Sequence, residues 1–311
     1  MYRYDDEIAP HVEGLPRRDL RELKATRAAL DAAAAAAAAQ VDPAGVAVEE
    51  QEIRDGPRVR VYRPDRPVDG GGVILHAHGG GFVMCSVETS HARSVELVRE
   101  TGLPLVSVEY RLAPEHPYPA AVDDVYAALE WLAGKGVDEL GADPGRIALH
   151  GVSAGAGLVA GVALLARDRG GPRPRFQFLN IPVLDDRQRS ASIRAFTDTP
   201  GWDTTKSALS WDAYLERGVP GGADVEPYAA PARATDLRDL PPAYVSVMEF
   251  DPLRDEGIAY ASALLAAGVP TELHVFPGTF HGSTAMLSSR IGDRERAEEV
   301  EVLRAAVGSG G

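Results

Sequence analysis

Arg146-Ile-Ala-Leu-His-Gly-Val-Ser-Ala-Gly-Ala-Gly-Leu-Val-Ala-Gly161 is the stretch from which the rest of the chain can be read. Arg146–His150 is a short β-forming run, and Ala154–Arg169 is rich in alanine and leucine, which favour helix. Between them Gly151-Val-Ser-Ala-Gly155 spells G-x-S-x-G in the strand–turn–helix setting that this motif needs. A serine on so sharp a turn sits in a strained backbone conformation, and its neighbours two residues away must be small. Gly151 and Gly155 supply that room. The start of the following helix adds partial positive charge where an oxyanion would form. Ser153 is therefore the candidate nucleophile.

Working outward, further β-rich runs fall at 59–62, 73–77, 105–109, 147–150, 176–181, 244–248 and 272–276. Helical stretches at 90–100, 120–133, 154–169 and 255–267 lie between most of them. Near-continuous apolar strands alternating with helices predict an α/β fold whose mostly parallel sheet is covered on both faces. Residues 1 to about 48 read as helical, with leucines at 20, 23 and 30 and an alanine run from 32 to 39 that stops near Asp42-Pro43. From Leu184 to Ala230 the rhythm breaks, and Trp202, Trp211, Tyr214 and Tyr228 stand among prolines and glycines. That stretch is too long for a simple crossover and predicts an insertion packed over one end of the sheet.

His78-Gly-Gly-Gly-Phe82 ends the run at 73–77. Three glycines free the backbone to turn its N–H groups toward a ligand oxygen. Gly80 and Gly81, with Ala154, are the candidate oxyanion donors. His76 and His78 form an H-x-H pair, but no third ligand accompanies them, so no metal is expected. A serine needs a base, and the base needs an orienting acid. His281, in Gly278-Thr-Phe-His-Gly282, follows the last strand and is the best base, whereas His274 lies within that strand and reads as a face residue. Asp251 follows the preceding strand and is the best acid; Glu249 at the strand end and Asp255 at a helix start are its competitors.

These blocks, together with Tyr110-Arg-Leu-Ala-Pro-Glu-His-Pro117 and Asp251-Pro-Leu-Arg-Asp-Glu-Gly257, resemble the bacterial hormone-sensitive-lipase-like esterases, a branch of the α/β-hydrolases. The likeness covers about residues 48 to 290. It implies an α/β-hydrolase fold with a small helical cap. It also implies Ser153 as nucleophile, His281 as base, Asp251 as its acid, and Gly80, Gly81 and Ala154 as the oxyanion hole. By the same likeness no cofactor is used, and the substrates are carboxylic esters of short to medium acyl chain. The cap joins an N-terminal arm, residues 1–45, to an insertion of about 185–225 within a catalytic domain of 46–311. The Tyr110–Pro117 block reads as structural, with Arg111 and Glu115 expected to pair across its loop. Four positions depart from the family pattern: Val152 for an acid, Ala156 and Cys85 for glycine, and Ser283 for an aromatic. Phe82, Val152, Trp202, Trp211, Tyr214 and Ser283 are the candidate pocket residues.

Composition sets the outer limits. With 311 residues and a net charge of −14, the chain is long enough for a large core and is ill suited to nucleic acid or an anionic membrane. One cysteine, Cys85, excludes a disulfide framework, and no run approaches a membrane span. The first residues lack a signal peptide's features, so a cytoplasmic enzyme is expected. Its partners are expected to be a small ester and, in a homodimer, a second copy. A biosynthetic tailoring enzyme on the same scaffold, performing lactone opening, acyl transfer, elimination or cyclisation, is the alternative, because fold and triad do not fix the reaction.

Overall fold

The computed structural model describes residues 2–309. Met1 and residues 310–311, the last two of the predicted catalytic segment, lie outside them. Eight strands form a single sheet in the order β1-β2-β4-β3-β5-β6-β7-β8. They are β1 (Val46–Glu52), β2 (Arg58–Pro64), β3 (Val73–Ala77), β4 (Leu105–Glu109), β5 (Ile147–Val152), β6 (Phe176–Asn180), β7 (Ala243–Met248) and β8 (Thr271–Phe276). β1 and β2 pair antiparallel with each other, as do β2 and β4; every other pairing is parallel.

Ten helices accompany the sheet among the described residues: α1 (Leu23–Ala38), α2 (His91–Thr101), α3 (Ala120–Trp131), α4 (Val137–Leu140), α5 (Ala154–Arg169), α6 (Ala191–Ala195), α7 (Thr204–Tyr214), α8 (Arg254–Ala266), α9 (Ser283–Met286) and α10 (Arg290–Val307). α3, α5 and α8 cover one face of the sheet, and α2 and α10 cover the other. The central strands are apolar on both sides because both sides are covered, as the sequence predicted: all five residues of β3 and all six of β7 are buried. α5 is enclosed along nearly its whole length, from Ala154 to Ala166, which explains why it carries alanine, glycine and leucine without a polar stripe.

The structure departs from the sequence reading at both ends. The segment read as helical to about residue 48 yields to β1 at Val46. Val46-Ala-Val-Glu-Glu-Gln-Glu52 lacks strand alternation because, as an edge strand, it leaves both faces largely in solvent. α10 is an amphipathic helix that the reading passed over; its charged residues hide the spaced Leu303 and Val307, which enter the core.

The Arg111–Glu115 pair is a further correction. Arg111 instead meets Asp124 on α3, whose carboxylate accepts from both the guanidinium, at 2.8 Å, and the Arg111 backbone N–H. Glu115 is taken by Arg27 of α1, at 2.7 and 2.9 Å. That bidentate pair holds the Glu115 carboxyl down to about 2, chiefly through the Arg27 hydrogen bonds. Arg27 also donates to the carbonyls of Val83 (2.6 Å) and Ala113 (2.7 Å), so one side chain ties the N-terminal arm to both loops beside the glycine run. The partners lie 56 to 88 residues apart, beyond what local pairing rules reach.

Arg27→Ala therefore removes several charge-assisted bonds and leaves two carbonyls without their donor. Urea denaturation is expected to show a loss of about 2 kcal/mol; an unchanged midpoint would contradict this anchoring role.

Candidate active site

β5 delivers Ser153 to the carboxyl end of the sheet, and the chain turns there at φ 55°, ψ −118°, a conformation few non-glycine residues adopt. Three bonds hold the turn. The Ser153 N–H donates to the Asn180 carbonyl at 2.8 Å, and the Ser153 carbonyl accepts from Gly157 and Val183 at 3.1 and 3.2 Å. The flanking glycines are needed for close approach: a Cβ on Gly155 would stand 2.1 Å from the Ala77 carbonyl oxygen, and one on Gly151 2.4 Å from that of Gly155.

The strained turn aims Ser153 Oγ at His281 Nε2, 3.0 Å away, and His281 Nδ1 lies 2.7 Å from Asp251 Oδ2. The carboxylate can only accept, so Nδ1–H donates to it and Nε2 is left to accept the serine proton. The other carboxylate oxygen of Asp251 takes the Leu253 N–H at 2.9 Å, which fixes the acid from behind. All three side chains are buried. The competitors do not reach the histidine: Glu249 accepts from the Gly278 N–H at 2.7 Å, and Asp255 accepts from the Ser192 N–H at 2.7 Å. His274 is engaged by Glu298 at 2.6 Å and stacks on Phe276.

The glycine run faces Ser153. The Gly80 carbonyl is turned away to accept from Val83 and Met84, while the N–H groups of Gly80, Gly81 and Ala154 donate to no protein acceptor among the described residues. Gly81 has φ +59°, and a Cβ there would come within 2.5 Å of the Trp202 ring. His78 donates through Nδ1 to the Gly79 carbonyl at 2.8 Å, and burial pulls its pKa down to about 4.

Two contacts escaped the sequence reading. Tyr110 stacks on His78 with ring centroids 4.2 Å apart and donates its hydroxyl to the His78 carbonyl at 2.8 Å. The Tyr110–Pro117 block thus pins the glycine loop, a role that its position one strand away did not disclose. Tyr4 packs edge-on against Phe250 and Phe280, the residues preceding Asp251 and His281. Only a view in space joins this N-terminal tyrosine to loops at the far end of the chain.

A cavity of about 580 Å³ contains Ser153 and His281. Of the expected pocket residues, Val152 and Trp202 line it. Phe82, Trp211, Tyr214 and Ser283 do not: the three aromatics pack against one another in the core, Phe82 stacking on Tyr214 at 4.0 Å. Ser283 is enclosed, and its hydroxyl accepts from the Phe280 N–H. Large aromatics in the insertion were drawn to the core by their own burial rather than to the cavity wall. Cys85 borders the cavity, and burial raises its thiol pKa, which keeps it protonated and unreactive.

This strand–serine–helix turn, with histidine and carboxylate arriving from later strands, is the arrangement of an α/β hydrolase. The family model described as alpha/beta hydrolase fold matches residues 74–285, and the chain belongs to that family, in its hormone-sensitive-lipase-like branch. Esterase LipI of Mycobacterium tuberculosis is 43% identical over 237 residues, covering 73% of this chain and 72% of its own length. The ethyl acetate hydrolase of Pseudomonas putida is 33% identical over 272 residues, 86% of this chain and 84% of its own. The solved structure of a bacterial heroin esterase, 45% identical, superposes with a TM-score of 0.94 over 99% of both chains.

Tyr110→Phe keeps the stack and deletes the bond to the glycine loop. Steady-state kinetics on a simple ester is expected to show kcat lowered about tenfold, the equivalent of one buried hydrogen bond. Wild-type kcat in the variant would show that the loop holds its shape without Tyr110.

Proposed function

We propose that the protein is a serine carboxylesterase that hydrolyses carboxylic esters of short to medium acyl chain through an acyl-enzyme. The observation that carries this reading is the continuous hydrogen-bonded line Ser153–His281–Asp251, facing unengaged N–H groups on a glycine loop. Ser153 Oγ attacks the ester carbonyl carbon as His281 Nε2 takes its proton. The carbonyl oxygen gathers negative charge beside the N–H groups of Gly80, Gly81 and Ala154. Collapse expels the alcohol, which takes the proton from His281. Water then adds to the acyl carbon by the same relay and frees Ser153. Asp251 stays ionised and steadies the imidazolium as it forms. The esterase and hydrolase names of the relatives favour this reaction, and none of them supports the tailoring alternative.

The N-terminal arm and the insertion of about 185–225 act, in this reading, as one cap over the site. Trp202 supports it, lying at once on the cavity wall and 5.9 Å from the His281 ring. We also read the protein as cytoplasmic, in keeping with its lone free thiol, Cys85. Among the described residues no helix is long and apolar enough to cross a membrane.

Hydrolysis of p-nitrophenyl esters from acetate to laurate tests the assignment. Ser153→Ala or His281→Ala is expected to lower kcat by roughly 10⁴-fold or more, and Asp251→Asn by roughly 10⁴-fold, with the fold intact. A folded Ser153→Ala that kept most of its activity would overturn the proposal.

A homodimer is the assembly we propose, through β8. That strand ends the sheet with an unpaired edge, and Leu273, Val275 and, on the neighbouring α8, Leu265 are exposed beside it. Antiparallel pairing of β8 with its copy would satisfy the edge and cover these side chains by the same symmetric contact. Light scattering of wild type is expected to give twice the chain mass, and of Val275→Glu the chain mass; a monomeric wild type would refute the dimer.

A further inference from the structure

The cavity that holds Ser153 does not end there. It continues across the α2–α10 face of the sheet, where residues of like parity on β3, β5 and β6 line it: His76, His150, Val152 and Asn180, with Glu295 and Glu299 from α10. Its wall includes Ala92 and Glu96 of α2 and Ala285 of α9, all exposed, so this arm of the cavity reaches the surface beside α2.

The polar groups along it are built in. Burial opposes ionisation of Glu299, but Arg93 (2.6 Å) and His150 (2.9 Å) outweigh it and hold the carboxyl down to about 2. The ionised carboxylate takes the Nε2–H of His150. His150 Nδ1 and His76 Nδ1 lie 2.8 Å apart and share one hydrogen bond, which leaves the Nε2 of His76 without a protein partner. Burial keeps His76 uncharged, pulling its pKa well below the usual histidine value. His78, whose Nδ1–H is spent on Gly79, likewise leaves Nε2 unpartnered, and Asn180, whose amide donates to Glu295 at 2.9 Å, leaves Oδ1 unpartnered. Three buried polar atoms without a protein partner thus border one passage, and a fourth group, Glu295, is pushed up to about 7, chiefly by burial. Buried polar atoms without partners are costly, and a small species that both donates and accepts satisfies them in sequence. Water is that species, and one molecule takes about 30 Å³ of liquid, so the space admits a file of them.

We propose that this passage between α2 and α10 is a water inlet, which feeds the deacylation step along the α2–α10 face of the sheet while the acyl group is held on Ser153. The inference rests on Ser153 carrying the acyl group. In the step served, a water oxygen bonds to the acyl carbon as its proton passes to His281 Nε2. The carbon–Oγ bond then breaks, and Ser153 Oγ recovers that proton. His76, His78 and Asn180 position the water and touch no reacting atom.

The test narrows the outer opening with Ala92→Trp and Ala285→Trp, singly and together, both at exposed positions. Quenched-flow mass spectrometry with p-nitrophenyl butyrate follows formation and decay of the acyl-enzyme on Ser153. Formation reports an intact fold and triad, and is expected to stay within about twofold of wild type, while decay slows at least about fivefold in the double variant. Decay at the wild-type rate would overturn the inlet, and so would equal slowing of both steps, which would make the passage a route for substrate or a structural support. Failure of the wild type to form a Ser153-linked acyl-enzyme would overturn the esterase reading as well, and is distinguishable because no adduct mass appears.

Discussion

Everything at the carboxyl end of this sheet depends on how closely α5 approaches β3. Gly155 lies so near the carbonyls of Ala77 and His78 that a single methyl group would overlap both, at 2.1 and 2.4 Å. That contact seats the start of α5 beside the glycine run, and so brings the N–H of Ala154 into line with those of Gly80 and Gly81. It also fixes the height of Ser153 above the sheet. The price of the arrangement is a serine with positive φ, which the fold meets with three backbone bonds to the turn. An overpacked side chain here would shift a helix that is buried along nearly its whole length, so no local relaxation is open to it.

The site is then completed by parts that come from distant segments and are held by different forces. Asp251 and His281 are placed by the ends of β7 and β8, and their loops are braced by an aromatic cluster in which Tyr4 of the N-terminal arm meets Phe250 and Phe280. The glycine loop is held by Tyr110 from one side and by Arg27, through the Val83 carbonyl, from the other. Ser153 is set by covalent geometry and close packing, whereas His281 and Asp251 are set by directional polar contacts and ring stacking. Local loosening should therefore affect the donor loop and the histidine before it affects Ser153.

The chain could be read where the physics is local. Gly151-Val-Ser-Ala-Gly155 with its flanking strand and helix was legible because steric demands at a sharp turn are written in consecutive residues. β3 and β4 were bounded to the residue because their apolar runs are short and abruptly ended. What escaped was either two-sided exposure or long-range pairing. β1 carries no alternation because neither face is deeply covered. Glu115 looked like a partner for Arg111 only because they are neighbours in sequence, yet Arg27 and Asp124 claim them in space. Phe82, Trp211 and Tyr214 were assigned to the cavity by their type, and type alone does not distinguish a wall from a core.

Val152 illustrates how a departure beside Ser153 is absorbed. It points to the same sheet face as His150 and Asn180, and its neighbours there are Ile181, Met248, Phe276 and Ile291, an apolar group. An acid there would stand half-buried on the cavity wall, with no donor from those four side chains. A valine instead adds to the packing that supports the serine turn from below. It also leaves the orientation of His281 to Asp251, the carboxylate that the ring nitrogen meets. The carboxylates on this face, Glu295 and Glu299, come from α10 and are satisfied by Asn180, His150 and Arg93 rather than by the nucleophile turn. Polar and apolar material are thus sorted along one wall, with Ile181, Met248 and Phe276 beside Val152 and the hydrogen-bonding groups toward β3 and α10.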